Sequence, residues 1–495
     1  MAESFAVPLE KATEPFVLSV DVGSTGTRGG IFDAAGRPVA KTRIKADHAF
    51  RADASGRSVI NPDQIVHEVA AVLDVVARRE LAGRIAAVAL DAFATSLVGV
   101  DEYGAAVGPC YTYADTRCVP QVEELRAVLE EGALQQRTGT RLHSFYQPAR
   151  LCWIRRTDPD TFDIVRTWMS IGEYVQLQLL GARGAALPTA AWSGLLNRHT
   201  ADWDDETLAA IGVGRERLAP VRGPHDPFTE IPHRVTKRWP ALAGAAWFPA
   251  IPDGFASNLG PGAISGRLMT LSASASGAVR VMVPGVPAHV PSGLWCYRID
   301  DGRSLVGGAL NDVGHMVTWL DGFIAAPLKG TRDDWLAGPP APDTPVVLPF
   351  LNGERSTGWR GDARAVAAEM SARTGAAAFF RGAMEGVAFT YRRVVEQLDD
   401  VAPGVQGVVA AGGITQTLPH WLSIMANVLH REMVPVPQKR TTLRGTALLA
   451  LDVVAPDVPR AEPEVNEPII PTPAWEAEYD RRYRRFLELY EDNFG

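Results

Sequence analysis

The chain has 495 residues, 46% apolar and 21% charged, with a formal net charge of −8. That length exceeds one comfortable core and predicts two or three domains, while the composition is globular and excludes a disordered chain. The acidic balance argues against nucleic acid as a partner, because phosphate backbones are met by clustered Lys and Arg.

Residues 1–14 read as a loose leader. Phe16 to Val22 is an apolar strand running into Asp21-Val22-Gly23-Ser24-Thr25-Gly26-Thr27-Arg28, and Gly29 to Phe32 returns as a second strand. Residues 60–81 have helical periodicity behind the cap Asn61-Pro62-Asp63. Ile85 to Leu90 and Thr95 to Asp101 read as buried strands. This alternation predicts an α/β fold with a mixed sheet. Residues 105–250 read as helix and loop, up to a boundary near Pro252-Asp253-Gly254 and Gly262. Residues 267–283 then repeat the opening theme: an apolar strand, a small-residue turn at Ser274-Ala275-Ser276-Gly277, an Arg and a second strand. One such unit opens each half, which suggests a duplicated domain facing itself across a cleft. Helices follow near Trp319, from Ala376 to Leu398 and from Trp421 to Leu429, with the strand Val405 to Ala410 running into Ala411-Gly412-Gly413. Trp475 to Phe494 reads as a solvated amphipathic cover.

No Gly-Lys-Ser/Thr occurs, which excludes a P-loop, and neither HExxH nor G-x-S-x-G is present. Cys110, Cys118, Cys152 and Cys296 form no CxxC pair and read as reduced thiols of a cytoplasmic protein. No apolar run approaches the roughly 20 residues of a membrane span, and no secretory leader is expected.

The segment 21–28 carries the first chemical signal. A Gly/Ser/Thr hairpin turn gathers backbone N–H groups and hydroxyls into one concavity, a nest suited to phosphate. Arg28 adds a charge-assisted contact, and Asp21 at the strand end is placed to hold hydrated Mg²⁺. The same residues also make an ordinary hairpin turn.

Here the chain resembles the first phosphate loop of the sugar kinase, actin and heat-shock chaperone superfamily, and more narrowly the FGGY carbohydrate kinases. Tyr113-Ala114-Asp115-Thr116-Arg117, Pro252-Asp253-Gly254, Gly353-Glu354-Arg355-Ser356 and Ala411-Gly412-Gly413 are similar to family segments, in the family's order, over residues 15–455. Gly293-Leu294-Trp295-Cys296-Tyr297 is nearest the gluconokinase and xylulokinase branch. The resemblance implies two ribonuclease-H-like domains of the actin and hexokinase type, 15–262 and 263–495, with the active site in the cleft between them. It implies that the first binds mainly the sugar and the second mainly ATP. Asp253 would be the general base and, with Asp21, would hold Mg²⁺ through water. ATP would be bound by Asp21, Gly23, Ser24, Thr25, Thr27, Arg28, Ser274, Ala275, Ser276, Gly314, Gly412 and Gly413. A sugar, polyol or sugar acid would meet Phe93, Thr95, Ser96, Tyr146 and Asp253. A homodimer is the family-level expectation. Without the resemblance, Asp253 reads as a turn residue.

The departures from the family are specific. The second phosphate loop has Ala275 where the family has Thr, a loss on the order of 1.5–3 kcal/mol if that hydroxyl met a charged group. Ser423 and Asn427 replace the family's Gln and Asp. Phe93-Ala94-Thr95 matches neither the xylulokinase Met-His nor the glycerol kinase Arg-Glu. Arg150 replaces a Lys and suits either packing or an anionic sugar. Trp153, Trp168, Trp192, Trp203 and Trp239 are core or substrate-stacking residues. The rival expectation is a catalytically impaired nucleotide-binding homologue acting as sensor or scaffold; a third is a sugar-binding module that does not use nucleotide.

Overall fold

The computed structural model describes residues 5–262, 267–437 and 441–495. Residues 1–4 of the expected leader and 263–266 at the start of the expected second domain lie outside the described residues. The chain divides into two compact units. The first comprises Met1–Gly262, Cys296–Ser304 and Arg440–Pro463, and the second Ala263–Trp295, Leu305–Lys439 and Glu464–Gly495. Two segments beyond the boundary near 262 thus return to the first unit.

The first unit is built on a sheet of β1 (Phe16–Gly23), β2 (Gly26–Phe32), β3 (Ile44–Asp47), β4 (Ile85–Ala92), β5 (Ala246–Trp247) and β6 (Ile251–Pro252). Its order is β5–β4–β1–β2–β3, with β6 also on β4. β1 and β2 form an antiparallel hairpin, while β4 runs parallel to β1 and β5 and β6 run parallel to β4. β1 is buried along its whole length. Alternate residues face opposite layers: Leu18, Val20 and Val22 meet Val69, Leu73 and Val76 of α1 (Pro62–Val76), while Val17 and Phe32 share a cluster with Leu443, Ala447 and Ala450. A strand covered on both faces reads as a continuous apolar run rather than an alternating one. Helix α1 stops five residues short of the expected Leu81, and the remainder is a 3₁₀ turn, Arg79–Leu81. The described part of the leader is not loose: Val7 N–H donates to Pro38 O at 3.0 Å, and Ala40 N–H to Val7 O at 2.8 Å. Further helices are α2 (Gln147–Thr157), α3 (Ile171–Leu180), α4 (Leu187–Ser193) and α5 (Asp253–Leu259).

The second unit has β7 (Leu268–Ala273), β8 (Gly277–Pro284), β9 (Arg303–Leu310), β10 (Gly407–Ala411) and β11 (Glu432–Pro435), in the order β9–β8–β7–β10–β11. β7 and β8 are antiparallel, β7 and β10 parallel, and β10 and β11 parallel. The order of the first sheet is therefore repeated, and the two strand–turn–strand segments in the sequence are equivalent hairpins. The helices are α6 (Gly314–Asp321), α7 (Ala376–Val401), α8 (Gly413–Thr417) and α9 (Pro419–Leu429). Then α10 (Thr441–Val454) returns to the first unit, and α11 (Pro473–Phe494) closes the second.

The expectation that α11 is merely a solvated cover is corrected. Tyr479, Arg482, Tyr483, Phe486 and Tyr490 are buried, at the three- and four-residue spacing of one helix face. Arg482 pairs with buried Glu385 of α7 at 2.7 Å, and Tyr490 O–H donates to Glu354 at 2.6 Å. Cys110, Cys118 and Cys296 are buried and Cys152 half-buried, all as free thiols. Among the described residues no helix is long and apolar enough to cross a membrane.

Candidate active site

The parallel register of the first sheet brings three carboxylates to one place. Asp21 on β1 lies opposite Asp91 on β4, and Ile251 on β6 pairs with the same Asp91. Asp253 follows two residues later as the first residue of α5. Asp91 is wholly buried and accepts the Thr446 hydroxyl of α10 at 2.5 Å. Burial holds its carboxyl well above the ordinary carboxylate range, and the neighbouring charges of Asp21 and Asp253 push the same way. The Asp91 Oδ1 atom is buried without a hydrogen-bond partner in the structure. Asp91 is absent from the residues picked out by sequence. Its signal was an acid ending an apolar strand, the same placement that drew attention to Asp21.

The first hairpin turn is held from several sides. Arg28 pairs with Asp21 at 3.0 Å and donates to the Thr25 hydroxyl at 3.1 Å. Gly23 is buried, Ser24 half-buried and Thr25 exposed. The Thr27 hydroxyl is buried and donates to Glu68 at 2.8 Å, so Thr27 supports the turn from behind rather than lining it.

Asp253 accepts the Gly254 N–H at 2.7 Å and is half-buried. A side chain at Gly254 would reach the Trp192 ring at 3.6 Å. Trp192 of α4 stacks on Tyr297 at 3.7 Å, and the Tyr297 and Tyr146 hydroxyls hydrogen-bond at 2.7 Å. Ring contacts continue from Tyr146 through Phe145, Tyr113 and Phe50 to Phe93. An aromatic wall therefore runs from the Asp253 helix to the Phe93 loop. Of the five tryptophans, Trp192 alone joins this wall. Trp203 and Trp239 are hydrogen-bonded to Ala219 O and Asp74, Trp153 sits under Arg117, and Trp168 packs against Phe162. Tyr297 belongs to a segment that returns to this unit from far along the chain, which no local spacing reveals.

Thr95 is unusual on two counts. It is β-branched yet has φ 52°, in the left-handed region, and its buried hydroxyl has no hydrogen-bond partner in the structure. Arg150 explains how the turn is held: wholly buried, it donates to Thr95 O at 2.7 Å and to Ser144 O at 3.1 Å. Arg150 thus has the packing role rather than that of an anion receptor. The turn also delays the expected strand at Thr95, which begins only at Val98. Ser96 is buried and its hydroxyl accepts the Ile171 N–H at 3.0 Å, a job internal to the fold.

In the second unit, the turn Ser274-Ala275-Ser276 is exposed. Gly314 N–H donates to Ser274 O at 2.8 Å, and Val313 and His315 N–H both donate to Ala275 O, at 3.2 and 3.0 Å. Gly314 therefore anchors the loop. Gly412, at φ 120°, lies so close to β7 that a side chain would meet Ala273 O at 2.1 Å, whereas one at Gly413 would meet nothing within 4 Å. Gly412 is needed by packing, and Gly413 leaves open space. Asn427 is buried; its amide donates to Ser423 O at 2.7 Å and its carbonyl accepts Thr472 N–H at 2.7 Å. The Asn427 side chain thus serves the unit's own packing.

Among the described residues no three His, Cys, Asp or Glu side chains are grouped as a metal cage. Mg²⁺ keeps most of its waters and takes one or two carboxylates plus phosphate oxygens. The strand-end acids, with a buried oxygen lacking a hydrogen-bond partner, fit that mode.

The family model for the N-terminal domain of the FGGY family of carbohydrate kinases matches residues 16–260, and that for the C-terminal domain matches 268–452. A gluconokinase of Bacillus subtilis (strain 168) is 24% identical over 455 residues, covering 88% of this chain and 87% of its own. A xylulose kinase of Lactococcus lactis is 21% identical over 488 residues, covering 96% and 97%. The crystal structure of a gluconate kinase from Lactobacillus acidophilus superposes with a TM-score of 0.89 at 22% identity, covering 96% of this chain and 98% of that one. With both family domains matched in order, and each sheet carrying the strand order described above, the chain belongs to the FGGY family of carbohydrate kinases and is a phosphotransferase acting on an alcohol group.

Proposed function

We propose that this kinase transfers the γ-phosphate of ATP to a hydroxyl of a sugar, polyol or sugar acid, with Asp253 taking the hydroxyl proton. One observation carries the reading. Asp253 begins α5 immediately after β6, beside the Asp21–Asp91 pair and one residue from the aromatic wall of Trp192, Tyr297 and Tyr146. A carboxylate beside an aromatic face is the arrangement that orients a sugar ring and accepts its proton.

In this reading residues 15–262 bind mainly the sugar and residues 263–495 mainly the nucleotide. The 23–28 turn and Arg28 receive phosphate oxygens, and the open face at Gly413 admits the nucleotide. Asp21 and Asp253 hold Mg²⁺ through water. When bound, Mg²⁺ would supply positive charge against the transferring phosphoryl group, and the chain's own part is positioning. Because Arg150 is engaged with Thr95 and Ser144, it does not grip a sugar acid. The names of the relatives, gluconokinase and xylulose kinase, set the first substrates to try: gluconate and xylulose, then the wider pentoses, polyols and aldonic acids.

The catalytically impaired homologue remains the second reading, favoured by Ala275, an exposed loop position with no side-chain donor. ADP release over that panel with ATP and Mg²⁺ separates the two. Turnover with one acceptor, reduced about 10²–10⁴-fold in Asp253→Asn with ATP binding kept, supports the kinase. ATP stabilisation with no turnover over the whole panel supports the impaired homologue.

A further inference from the structure

His48 lies outside every motif that carries the family resemblance, yet it touches the first phosphate turn directly. Its side chain is wholly buried. Its Nε2 lies 2.8 Å from Gly23 O and its Nδ1 lies 2.7 Å from Glu68 Oε2. The same Glu68 oxygen accepts the Thr27 hydroxyl at 2.8 Å, and the other accepts the Gln64 amide at 2.9 Å. A carbonyl oxygen can only accept. A carboxylate already accepting from two donors is an acceptor for the third. Both ring nitrogens then donate, and the ring carries two protons.

The geometry points to His48 as a positioning residue for phosphoryl transfer: a doubly protonated imidazole that clamps both arms of the first phosphate turn onto α1. The two arms are explicit in the register, where Gly23 closes on Gly26 and Val22 on Thr27. His48 holds the first arm through the Gly23 carbonyl, and Glu68 holds the second through the Thr27 hydroxyl. Between them Ser24 and Thr25 are left to face a ligand. The clamp is charged: Glu68 supplies its negative partner, and Lys45, Asp47 and Arg28 are the other charged groups close by. Phe50 stacks on the ring at 6.4 Å and continues the aromatic wall toward Phe93. A turn held at both ends loses less freedom when it wraps a polyphosphate, and that is where the clamp contributes to affinity.

This inference rests on the reading that the 23–28 turn receives nucleotide phosphate. The experiment uses the full chain. Nitrogen-15 spectra of histidine-labelled protein near neutral pH report the protonation of each ring nitrogen of His48, assigned by comparison with His48→Gln. Calorimetric titration with ATP and Mg²⁺ then compares the wild type with His48→Phe and His48→Gln. Expected are two protonated nitrogens and an ATP affinity about ten- to a hundred-fold lower in His48→Phe, the range of one lost charge-assisted hydrogen bond. His48→Gln, which keeps one amide donor, falls between. A single proton on the His48 ring, or a folded His48→Phe protein with wild-type ATP affinity, overturns the clamp. Should His48→Phe not fold, the spectra of the wild type still decide. If ATP binds but no acceptor is turned over, the kinase reading fails while the variant affinities continue to test the clamp. If ATP does not bind the wild type, both fall.

Discussion

Replacing Asp91 by Asn tests the carboxylate cluster through its pH dependence. The folded-state carboxyl of Asp91 is held well above its ordinary range by burial first, then by Asp21 and Asp253. In the unfolded chain it titrates near pH 4. Below that pH both states hold the proton, and the stability it supplies is fully present. As pH rises, the unfolded chain ionises and the folded one does not. The wild type therefore loses ~1.4 kcal/mol per pH unit until Asp91 ionises in the fold. Asn keeps the acceptor for the Thr446 hydroxyl, now at 2.5 Å from Asp91 Oδ2, offers an amide donor toward Asp21, and has no proton to lose. The variant should thus gain on the wild type progressively as pH rises above about 4, until the pH at which Asp91 ionises in the fold. Thermal unfolding of both proteins across that range, without nucleotide or Mg²⁺, reads the difference directly. A gap that stays constant with pH, or narrows as pH rises, would refute the buried acid pair.

Three further outcomes are expected. Ala275→Thr, at an exposed position, should leave the thermal midpoint unchanged and raise kcat/KM for ATP about tenfold or more, because it restores a donor toward charged oxygens; an unchanged steady-state value counts against a phosphate role for that loop. Thr95→Gly should leave stability equal to or about 1 kcal/mol above the wild type by relieving the left-handed backbone at φ 52°. It should also raise the acceptor KM, and denaturant unfolding paired with kinetics checks both. Glu385→Ala should cost about 3–5 kcal/mol, since Arg381 and Arg482 of the α7–α11 contact lose a partner they hold at 3.0 and 2.7 Å in a buried setting. A drop below 1 kcal/mol in urea denaturation would show that α11 is not anchored there.

The local signals were legible because they are written in contiguous residues. An apolar strand, a small-residue turn and a second strand specify a hairpin, and the structure has both: Asp21 to Arg28 between β1 and β2, and Ser274 to Gly277 between β7 and β8. The order of motifs along the chain was enough for the family and for the α/β class. What the spacing did not carry was the use of each side chain. Thr27 and Ser96 have the right residue type for a ligand contact, but their hydroxyls are engaged by Glu68 and the Ile171 N–H. Arg150 is a cation whose burial against two carbonyls makes it a brace.

Composition, strand pattern and turn chemistry determined by themselves that this is an α/β protein of more than one domain with a strand–turn–strand unit opening each half, the first of them suited to phosphate. Tertiary structure alone decided which groups gather around Asp253. Asp91 meets Thr446 across 355 positions of sequence, and Tyr146 meets Tyr297 across 151. The reason is physical: strands joined by long crossovers are aligned by the hydrogen-bond register and by the layers of helix packed on each face. A sequence fixes that register through the sum of many weak apolar contacts, and no single spacing records it.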